Sequence, residues 1–259
     1  MHNYILQVHG RPVPLAARIV SWCLVALLVA ALFSFAFSQL HYGWNWDAIW
    51  QYRQKFLQGW LITVVISAAA LLISLMIGLL TALARRSALL PLRYAALLYV
   101  EAVRGTPLLV QILILFYVVA NAFGIENRYL VGVLTLSLFA GAYLAEMIRS
   151  GIESIRDSQL ESARAIGLTR SQTYRFVIFP QVVRQLIPPL TGQFASIIKD
   201  SSLLSIIAVS EFTLNAQEVN AFTYSTLESY LPLAVGYLVL TLPVSLVSRL
   251  LERRFHYAA

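Results

Sequence analysis

Residues 161–181 read ESARAIGLTRSQTYRFVIFPQ, a stretch rich in charge and helix punctuation within a chain that is otherwise apolar. Ser158 and Thr169 each stand three residues before a glutamate or glutamine, the spacing of a capping box that starts a helix. Gly167 lies between the two boxes and suits the left-handed position that follows a helix. Pro180 disfavours helix in the residue before it. The stretch therefore predicts two short capped helices, joined at Gly167 and ending at Pro180.

The composition around this stretch is that of a membrane protein. Of the 259 residues, 59% are hydrophobic and 12% are charged, with a mean hydropathy of +0.73, whereas soluble domains carry about 25% charged residues. The single cysteine, Cys23, lies in a hydrophobic run and predicts no disulfide framework. The four histidines lack metal-ligand spacing, which argues against a metal site; they are His2, His9, His41 and His256.

Apolar runs long enough to cross a bilayer recur along the chain. A spanning helix needs roughly 20 mostly apolar residues. Four runs meet this need clearly, and they cover residues 19–37, 60–84, 129–147 and 231–250. A fifth run, 107–123, is shorter, and Thr106 and Pro107 are predicted to start it as N-cap and first helical residue.

The basic residues predict the orientation of these runs, because cytoplasmic loops carry an excess of Lys and Arg. With both termini in the cytoplasm, only Arg53, Lys55 and Arg128 fall on the other side. This asymmetry explains the net charge of +7 without any nucleic acid partner. It also requires residues 188–208 to cross, in spite of two charged residues. The prediction is an all-α integral membrane protein of about six transmembrane helices, with N- and C-termini inside.

These assignments divide the chain into five segments. They are a cytoplasmic tail 1–18, a first transmembrane helix 19–38, a periplasmic or extracellular loop 39–58, a transmembrane domain 59–254 with a cytoplasmic loop 149–184, and a cytoplasmic tail 255–259. The first helix could instead be a signal peptide, since a basic segment precedes it. The run is long, however, and no small-x-small cleavage site follows it.

The predicted hairpin leaves apolar side chains facing the cytosol unless something covers them. Leu160, Ile166, Leu168, Tyr174 and Phe179 are among them. Two interpretations follow. Either the loop packs under its own membrane bundle, or it docks onto a cytoplasmic partner.

The same stretch resembles the EAA loop of ABC importer permeases, which has Glu-Ala-Ala, three residues, Gly, nine residues and Ile-x-Leu-Pro. Here the pattern is ESA-RAI-G followed by VIFP, with the spacing intact and mild changes at Ser162, Val177 and Phe179. The resemblance implies a coupling helix that inserts into a cleft on a separate ATP-hydrolysing subunit. The coupling residues would be Glu161, Ser162, Ala163, Ile166, Gly167, Leu168, Thr169 and Pro180.

Three further segments resemble the polar amino acid permeases of that family, such as histidine, glutamine and arginine permeases. They are EAVRGTPLLVQ (101–111), AYLAEMIRSGI (142–152) and KDSSL (199–203). The likeness implies a five-helix type I importer core from about residue 56, preceded by one extra helix. It also implies two ATPase subunits that bind ATP and Mg²⁺, a second permease chain, identical or homologous, an extracytoplasmic solute-binding protein and an amino acid substrate. Such a subunit carries no catalytic residue and no cofactor of its own.

The chain contains no P-loop. A Walker A motif needs Gly-Lys before Ser or Thr, but the only lysines, Lys55 and Lys199, follow Gln54 and Ile198. An ATPase that drives this chain would therefore be a separate polypeptide.

Polar residues within the predicted spans are candidates for the translocation path, and they are Gln111, Tyr143, Glu146, Lys199, Asp200 and Ser201. Lys199 is predicted near the middle of the bilayer, where a charge costs on the order of 2.5–3.5 kcal/mol. We expect it to pair with Glu146 or Glu101 on another helix, either as a structural ion pair or as part of the path. The run KDSS could also unwind the helix locally.

Other polar and small residues have structural interpretations. Gln111 and Tyr143 could hydrogen-bond between helices instead of lining a pore. Arg104 and Glu101 are expected to pair locally. A repeat of small residues on the second span predicts close helix packing, possibly within a dimer interface; it comprises Ala70, Ser74, Gly78 and Ala82.

Two other classes of function compete with a permease. A membrane-embedded enzyme would need a nucleophile–base pair or metal cluster at membrane depth, and none is visible in the sequence. An ion-coupled secondary transporter or a channel subunit would favour a richer acid–base relay, and would leave the hairpin unexplained. The sequence does not specify which amino acid a permease of this kind would carry.

Overall fold

The computed structural model describes residues 14–39 and 42–256, and these residues are all-helical, without a strand. The outermost parts of both predicted tails, and His2, His9 and His41, lie outside the described residues. The α-helices are α1 Leu15–Ser38, α2 Trp46–Gln51, α3 Arg53–Arg85, α4 Leu90–Arg104, α5 Leu108–Leu113, α6 Arg128–Glu153, α7 Asp157–Ala165, α8 Arg170–Thr173, α9 Phe179–Asp200, α10 Phe212–Thr223 and α11 Thr226–His256. Two π-helical segments, Ile114–Ala120 and Tyr174–Ile178, and one 3₁₀ segment, Ser201–Ile207, continue α5, α8 and α9.

The chain forms two compact units, one ending at Trp44 and the other beginning at Asn45. The first contains α1, a 24-residue helix that starts directly after Pro14. The leucines and valines of α1 are exposed around its whole circumference, as are Phe33 and Phe35. A helix that is apolar on all sides suits lipid and not water.

Helices of transmembrane length and composition are present as predicted. α1, α3, α6 and α11 are each long and apolar enough to span, and α4 together with the segment Leu108–Ala120 forms a further candidate, bent by 112°. The all-α membrane fold is therefore confirmed. α9 does not meet the same criterion, so the crossing of residues 188–208 and the count of six stay predictions.

The core of the second unit is built on the close packing of α3 against α6. The small residues Ala70, Ser74 and Gly78 are all buried on α3. A side chain added at Gly78 would place its Cβ 2.6 Å from the Cβ of Leu144 on α6. The small-residue repeat is thus a packing face within this chain, as its spacing indicates.

The corner between α4 and α5 differs from the prediction by one residue. α5 begins at Leu108, and Pro107, not Thr106, is its N-cap. The Thr106 hydroxyl instead donates to the Ala102 carbonyl, at the end of α4. Thr106 therefore completes the preceding helix, and the fixed backbone of Pro107 starts the next.

The prediction that a helix ends at Pro180 is wrong. α8, the π-helical segment Tyr174–Ile178 and α9 follow one another without a break. Pro180 is the second residue of α9, where a proline is tolerated in a first turn. The change of hydrogen-bond register in the π-helical turn comes directly before it. The second helix of the hairpin is consequently the start of a long rod that continues to Asp200.

Candidate coupling and transport sites

The turn after α7 is built as the sequence predicts. Gly167 has φ +79°, and the Leu168 and Gly167 amides donate to the Ala163 and Arg164 carbonyls, each at 3.0 Å. These two bonds define a Schellman motif, which closes a helix with a residue in the left-handed conformation. The glycine elbow is confirmed, and it sets the angle between α7 and α8.

The two predicted capping boxes have different outcomes. Thr169 caps α8: its hydroxyl accepts from the Gln172 amide at 3.3 Å, and the Gln172 side chain accepts from the Thr169 amide at 2.8 Å. The capping box predicted at Ser158 is wrong, because the N-cap of α7 is Arg156, two residues earlier, and no side chain caps the helix. Asp157 in the first turn favours this start through the helix dipole.

The hairpin, defined here as α7 to the π-helical segment, is buried at its base and exposed at its tip. Ile155, Ile178 and Val182 form a small buried cluster at the base. At the tip, the side chain of Ile166 is 76% exposed and that of Phe176 is 61% exposed. The packed-loop interpretation therefore describes the base, while the tip has the apolar exposure that the docking interpretation requires.

An open groove of about 500 Å³ runs between the two arms of the hairpin. Most of the residues matched to the EAA pattern lie along it or at the elbow. Glu161, Ser162, Gly167 and Thr169 are exposed, Ala163 is buried, Leu168 is half-buried and Ile166 is the C-cap of α7. Pro180 is exposed on α9, beyond the groove.

Glu146 lies at the centre of an ion-pair cluster that joins three helices. Its carboxylate accepts from Arg85 of α3 at 2.7 Å and pairs with Arg149 of its own helix. Arg104 of α4 lies 3.7 Å away, with its guanidinium over the Tyr143 ring. Arg149 also pairs with Glu153. Sequence analysis missed Arg85, since 61 positions separate it from Glu146 and no local pattern connects them.

This cluster overturns two predicted pairs. Arg104 pairs with Glu146, not with Glu101. Glu146 does not pair with Lys199, because Tyr143 and Glu146 share a groove with Pro189, halfway along α9. Lys199 lies about 15 Å further along that helix at 1.5 Å per residue. Tyr143 and Glu146 are therefore together, while Lys199 belongs to the other end of α9.

Lys199 is exposed at the end of α9, and within the described residues it forms no salt bridge. Asp200 beside it is half-buried, and Ser201 is buried, with its hydroxyl donating to the Ile198 carbonyl at 2.8 Å. The helix tightens here into the 3₁₀ segment Ser201–Ile207, so the KDSS run changes the helix type. A charge left exposed beside an apolar core faces a partner or a cavity more readily than lipid.

Gln111 holds the corner between α4 and α5. Its amide donates to the Val103 carbonyl at 2.7 Å and to the Thr106 hydroxyl at 2.9 Å. Both bonds are to the preceding helix end, which agrees with a structural role for the side chain.

Glu211 is a buried carboxylate that sequence analysis did not single out. It caps α10 by accepting from the Thr213 and Leu214 amides, each at 2.8 Å, and from the Tyr237 hydroxyl at 3.0 Å. Burial raises the pKa of Glu211, and these hydrogen bonds oppose the rise. Its place directly before a helix is the one signal that could have found it.

Together, the apolar helices and the capped hairpin define a helical membrane protein with an exposed, structured turn between α6 and α9. Residues 74–257 match the family of binding-protein-dependent transport system inner membrane components. The chain belongs to this family.

Relatives and solved structures agree with this assignment. The glutamine transport system permease protein GlnP of Escherichia coli K12 is 37% identical over 212 residues, which are 81% of this chain and 97% of the relative. The L-cystine transport system permease protein TcyB of Bacillus subtilis 168 is 39% identical over 212 residues, 81% and 90% of the two chains. A crystal structure of an amino acid ABC transporter with histidines matches at 33% identity and TM-score 0.77, over 82% of this chain and 100% of that chain.

A more distant structure, the inward-facing MetNI methionine ABC transporter, matches at 16% identity and TM-score 0.61 and supports the fold alone. The predicted resemblance to polar amino acid ABC permeases is confirmed. The protein is a multi-pass protein of the bacterial inner membrane. Permease subunits of this family are not enzymes themselves and carry no cofactor, and the family implies an ATPase, a partner permease and a binding protein.

Proposed function

We propose that this chain is the permease subunit of an ATP-driven amino acid importer, and that the hairpin is its contact with the ATPase. The observation that carries the proposal is the exposed apolar tip on a backbone held by a Schellman motif and a capping box. Such a tip is rigid enough to transmit force and apolar enough to bind a cleft. Glu161, Ser162, Ala163, Ile166, Gly167, Leu168 and Thr169 form this contact.

Pro180 has a different role in this proposal from that of the hairpin residues. It lies where the hairpin continues into α9, so a push on the hairpin tip is passed along a continuous rod of helix toward Lys199. The rod links the energy source to the substrate path through helix, with no loop between them. Pro188 and Pro189 lie inside this helix and mark the position where it can bend.

The translocation path contains six residues at two levels. Lys199, Asp200 and Ser201 form the level at the far end of α9, where an exposed ammonium can attract a substrate carboxylate. Tyr143 and Glu146 form the level beside the hairpin, and Gln111 holds the corner between α4 and α5. The residues lie on different helices, so movement of α9 changes their spacing.

The complete importer has two ATPase subunits, which bind ATP and Mg²⁺, two permease chains, identical or homologous, and one extracytoplasmic binding protein. ATP binding draws the two ATPase subunits together and moves the paired hairpins, which turns the cavity outward. The binding protein then releases its amino acid, and hydrolysis returns the cavity to the cytoplasmic side. Glutamine and cystine, the cargoes of the named relatives, are the first substrates to try.

The test is reconstitution of the chain with its ATPase and binding protein in liposomes. ATPase activity and uptake are measured across a panel of acidic, basic, amide-bearing and cystine-like amino acids. We expect one subset to stimulate ATP hydrolysis and to accumulate inside. Accumulation driven by an ion gradient in the absence of ATP would instead identify a secondary transporter.

A further inference from the structure

A polar groove lies at the end of α3 opposite the Arg85 cluster. Its volume is about 440 Å³, within the range of about 300–1,000 Å³ typical of small-molecule sites. One cation and one carboxylate, Lys55 and Glu218, form a salt bridge in it. The other polar side chains are amides and hydroxyls: Gln51, Tyr52, Gln54, Gln58, Ser210 and Asn215.

The groove lies at the end of α3 that is predicted to project beyond the bilayer on the outer side. α3 has 33 residues, or about 50 Å at 1.5 Å per residue, and the hydrocarbon core is about 30 Å thick. Lys55 is in the first turn of α3, while Arg85 is its last residue. Lys55 is also one of the few basic residues on the predicted outer side, where such residues are disfavoured.

The salt bridge is not needed to hold α10 on α3. The Asn215 amide already donates to the Lys55 carbonyl at 2.9 Å, and the Phe212 amide donates to the Thr63 hydroxyl at 3.2 Å. Phe56 and Phe212 pack edge to face with ring centroids 6.2 Å apart. The Lys55 and Glu218 side chains are 31% and 39% exposed, and an exposed pair of this kind contributes little to stability.

We propose that this groove is an outer subsite for a zwitterionic amino acid. The Lys55 ammonium donates to the α-carboxylate of the ligand, and the Glu218 carboxylate accepts from its α-ammonium. One internal ion pair is exchanged for two ion pairs with the ligand, so no charge is left without a partner. The surrounding amides then hydrogen-bond to the rest of the molecule. This inference rests on the proposed function, which supplies the amino acid.

The experiment measures protection of a cysteine placed in the groove. Gln58→Cys is made in a Cys23→Ser background, which removes the single native cysteine, and the complete complex is assembled in right-side-out vesicles. The Gln58 side chain is exposed, so a membrane-impermeant maleimide added outside is expected to alkylate the new cysteine. The probes are L-glutamine, 4-aminobutanamide, which lacks its α-carboxylate, and glutaramic acid, which lacks its α-ammonium.

We expect L-glutamine to slow alkylation about tenfold at a concentration about ten times its dissociation constant, since few sites are then empty. Neither analogue should protect at the same concentration, because each leaves one charge of the pair unmatched. Lys55→Met and Glu218→Gln should each abolish the protection. Arg53→Met and Glu126→Gln are the matched controls, since both residues are exposed and neither lines the groove.

Equal protection by all three compounds, no protection by L-glutamine, or no access for the maleimide from outside would overturn the proposal. Protection given by the binding protein irrespective of ligand would also overturn it, in favour of a docking surface. The comparison of L-glutamine with its two analogues uses a protein in which Lys55 and Glu218 are unchanged. It therefore tests the subsite even if a charge variant does not assemble. ATP-driven uptake is measured on the same vesicles: uptake without protection leaves the proposed function standing and removes only the subsite.

Discussion

The hairpin and the Glu146 cluster lie close to one another, yet they differ in how far their side chains are paired and covered within the chain. Around Glu146, three arginines surround one carboxylate, and the side chains are mostly covered. In the hairpin, the backbone at the elbow is held by the Schellman motif and the Thr169 capping box, while Ile166, Phe176 and other apolar side chains remain exposed. The first region is complete within one chain; the second has a fixed shape but a surface without a partner among the described residues.

This difference separates a structural role from a binding role. Loss of a charge inside a completed cluster should affect stability, because the remaining charges lose their partner. A change at the hairpin tip should affect coupling, because the tip touches little within its own chain. Substitutions at Gly167, Lys199, Glu146 and Thr169 distinguish these two outcomes.

Gly167→Asp should give the largest effect, the loss of substrate-stimulated ATPase activity in an assembled complex. A Cβ at Gly167 meets no atom within 4 Å, so the substitution adds backbone strain at φ +79° but no clash within this chain. A loss larger than this strain causes would come from contact with another subunit. The matched control is Gly124→Asp, which has a similar φ of +67° and the same open surroundings. The two variants share the backbone strain, so equal losses in both would show that this strain, and not contact with the ATPase, causes the loss.

Lys199→Met should reduce uptake about tenfold, equivalent to about 1.4 kcal/mol, with little change in melting temperature. No ion pair within the described residues is broken, so the cost appears in transport. Lys199→Arg retains the charge and should recover part of the rate. Normal uptake by the methionine variant would remove Lys199 from the path.

Glu146→Gln should lower stability by about 1–3 kcal/mol, because the three guanidinium groups then lack their common carboxylate. A thermal unfolding curve of the purified chain in detergent should show a fall of several degrees. Glu153→Gln is the control, since Glu153 is exposed and pairs with Arg149 alone. A stable Glu146→Gln protein that fails only in transport would contradict the structural role of the cluster and leave Glu146 as a residue of the translocation path alone.

Thr169→Ala should have the smallest effect, a loss of about 0.5–2 kcal/mol in the local stability of the helix it caps. Amide hydrogen exchange at Gln172 should speed up, with a partial loss of coupling. Ser158→Ala is the matched control, because the Ser158 side chain makes no capping bond. If both substitutions accelerate exchange equally, the capping box does not hold the elbow.

Local features of the hairpin were predictable from sequence. The Gly167 elbow and the Thr169 cap depend on a few neighbouring residues, and both are confirmed. The capping box predicted at Ser158 is absent because the acidic residue Asp157, one position earlier, already lies in the first turn of the helix and favours its start there. The helix end predicted at Pro180 is wrong because the π-helical turn before it absorbs the change in hydrogen-bond register, and no short sequence pattern marks such a turn.

Features that depend on tertiary contacts were not predictable in the same way. The partners of Glu146 come from three helices, and only Arg149 is near it in sequence. The expected pairs with Lys199 and Glu101 relied on charge and approximate depth, which cannot specify which helix faces which. The α3–α6 packing was easier to foresee, because small residues four apart define a face without reference to the partner helix.

A cross-link between the hairpin tip and the ATPase tests the coupling assignment most directly. Ile166→Cys and Gly124→Cys, each in the Cys23→Ser background, are assembled with the ATPase and treated with a short photoactivatable thiol reagent. Attachment of the ATPase to position 166, and not to position 124, is the expected result. An active complex with no cross-link at position 166, or with equal cross-links at both positions, would contradict the assignment of the hairpin as the ATPase contact.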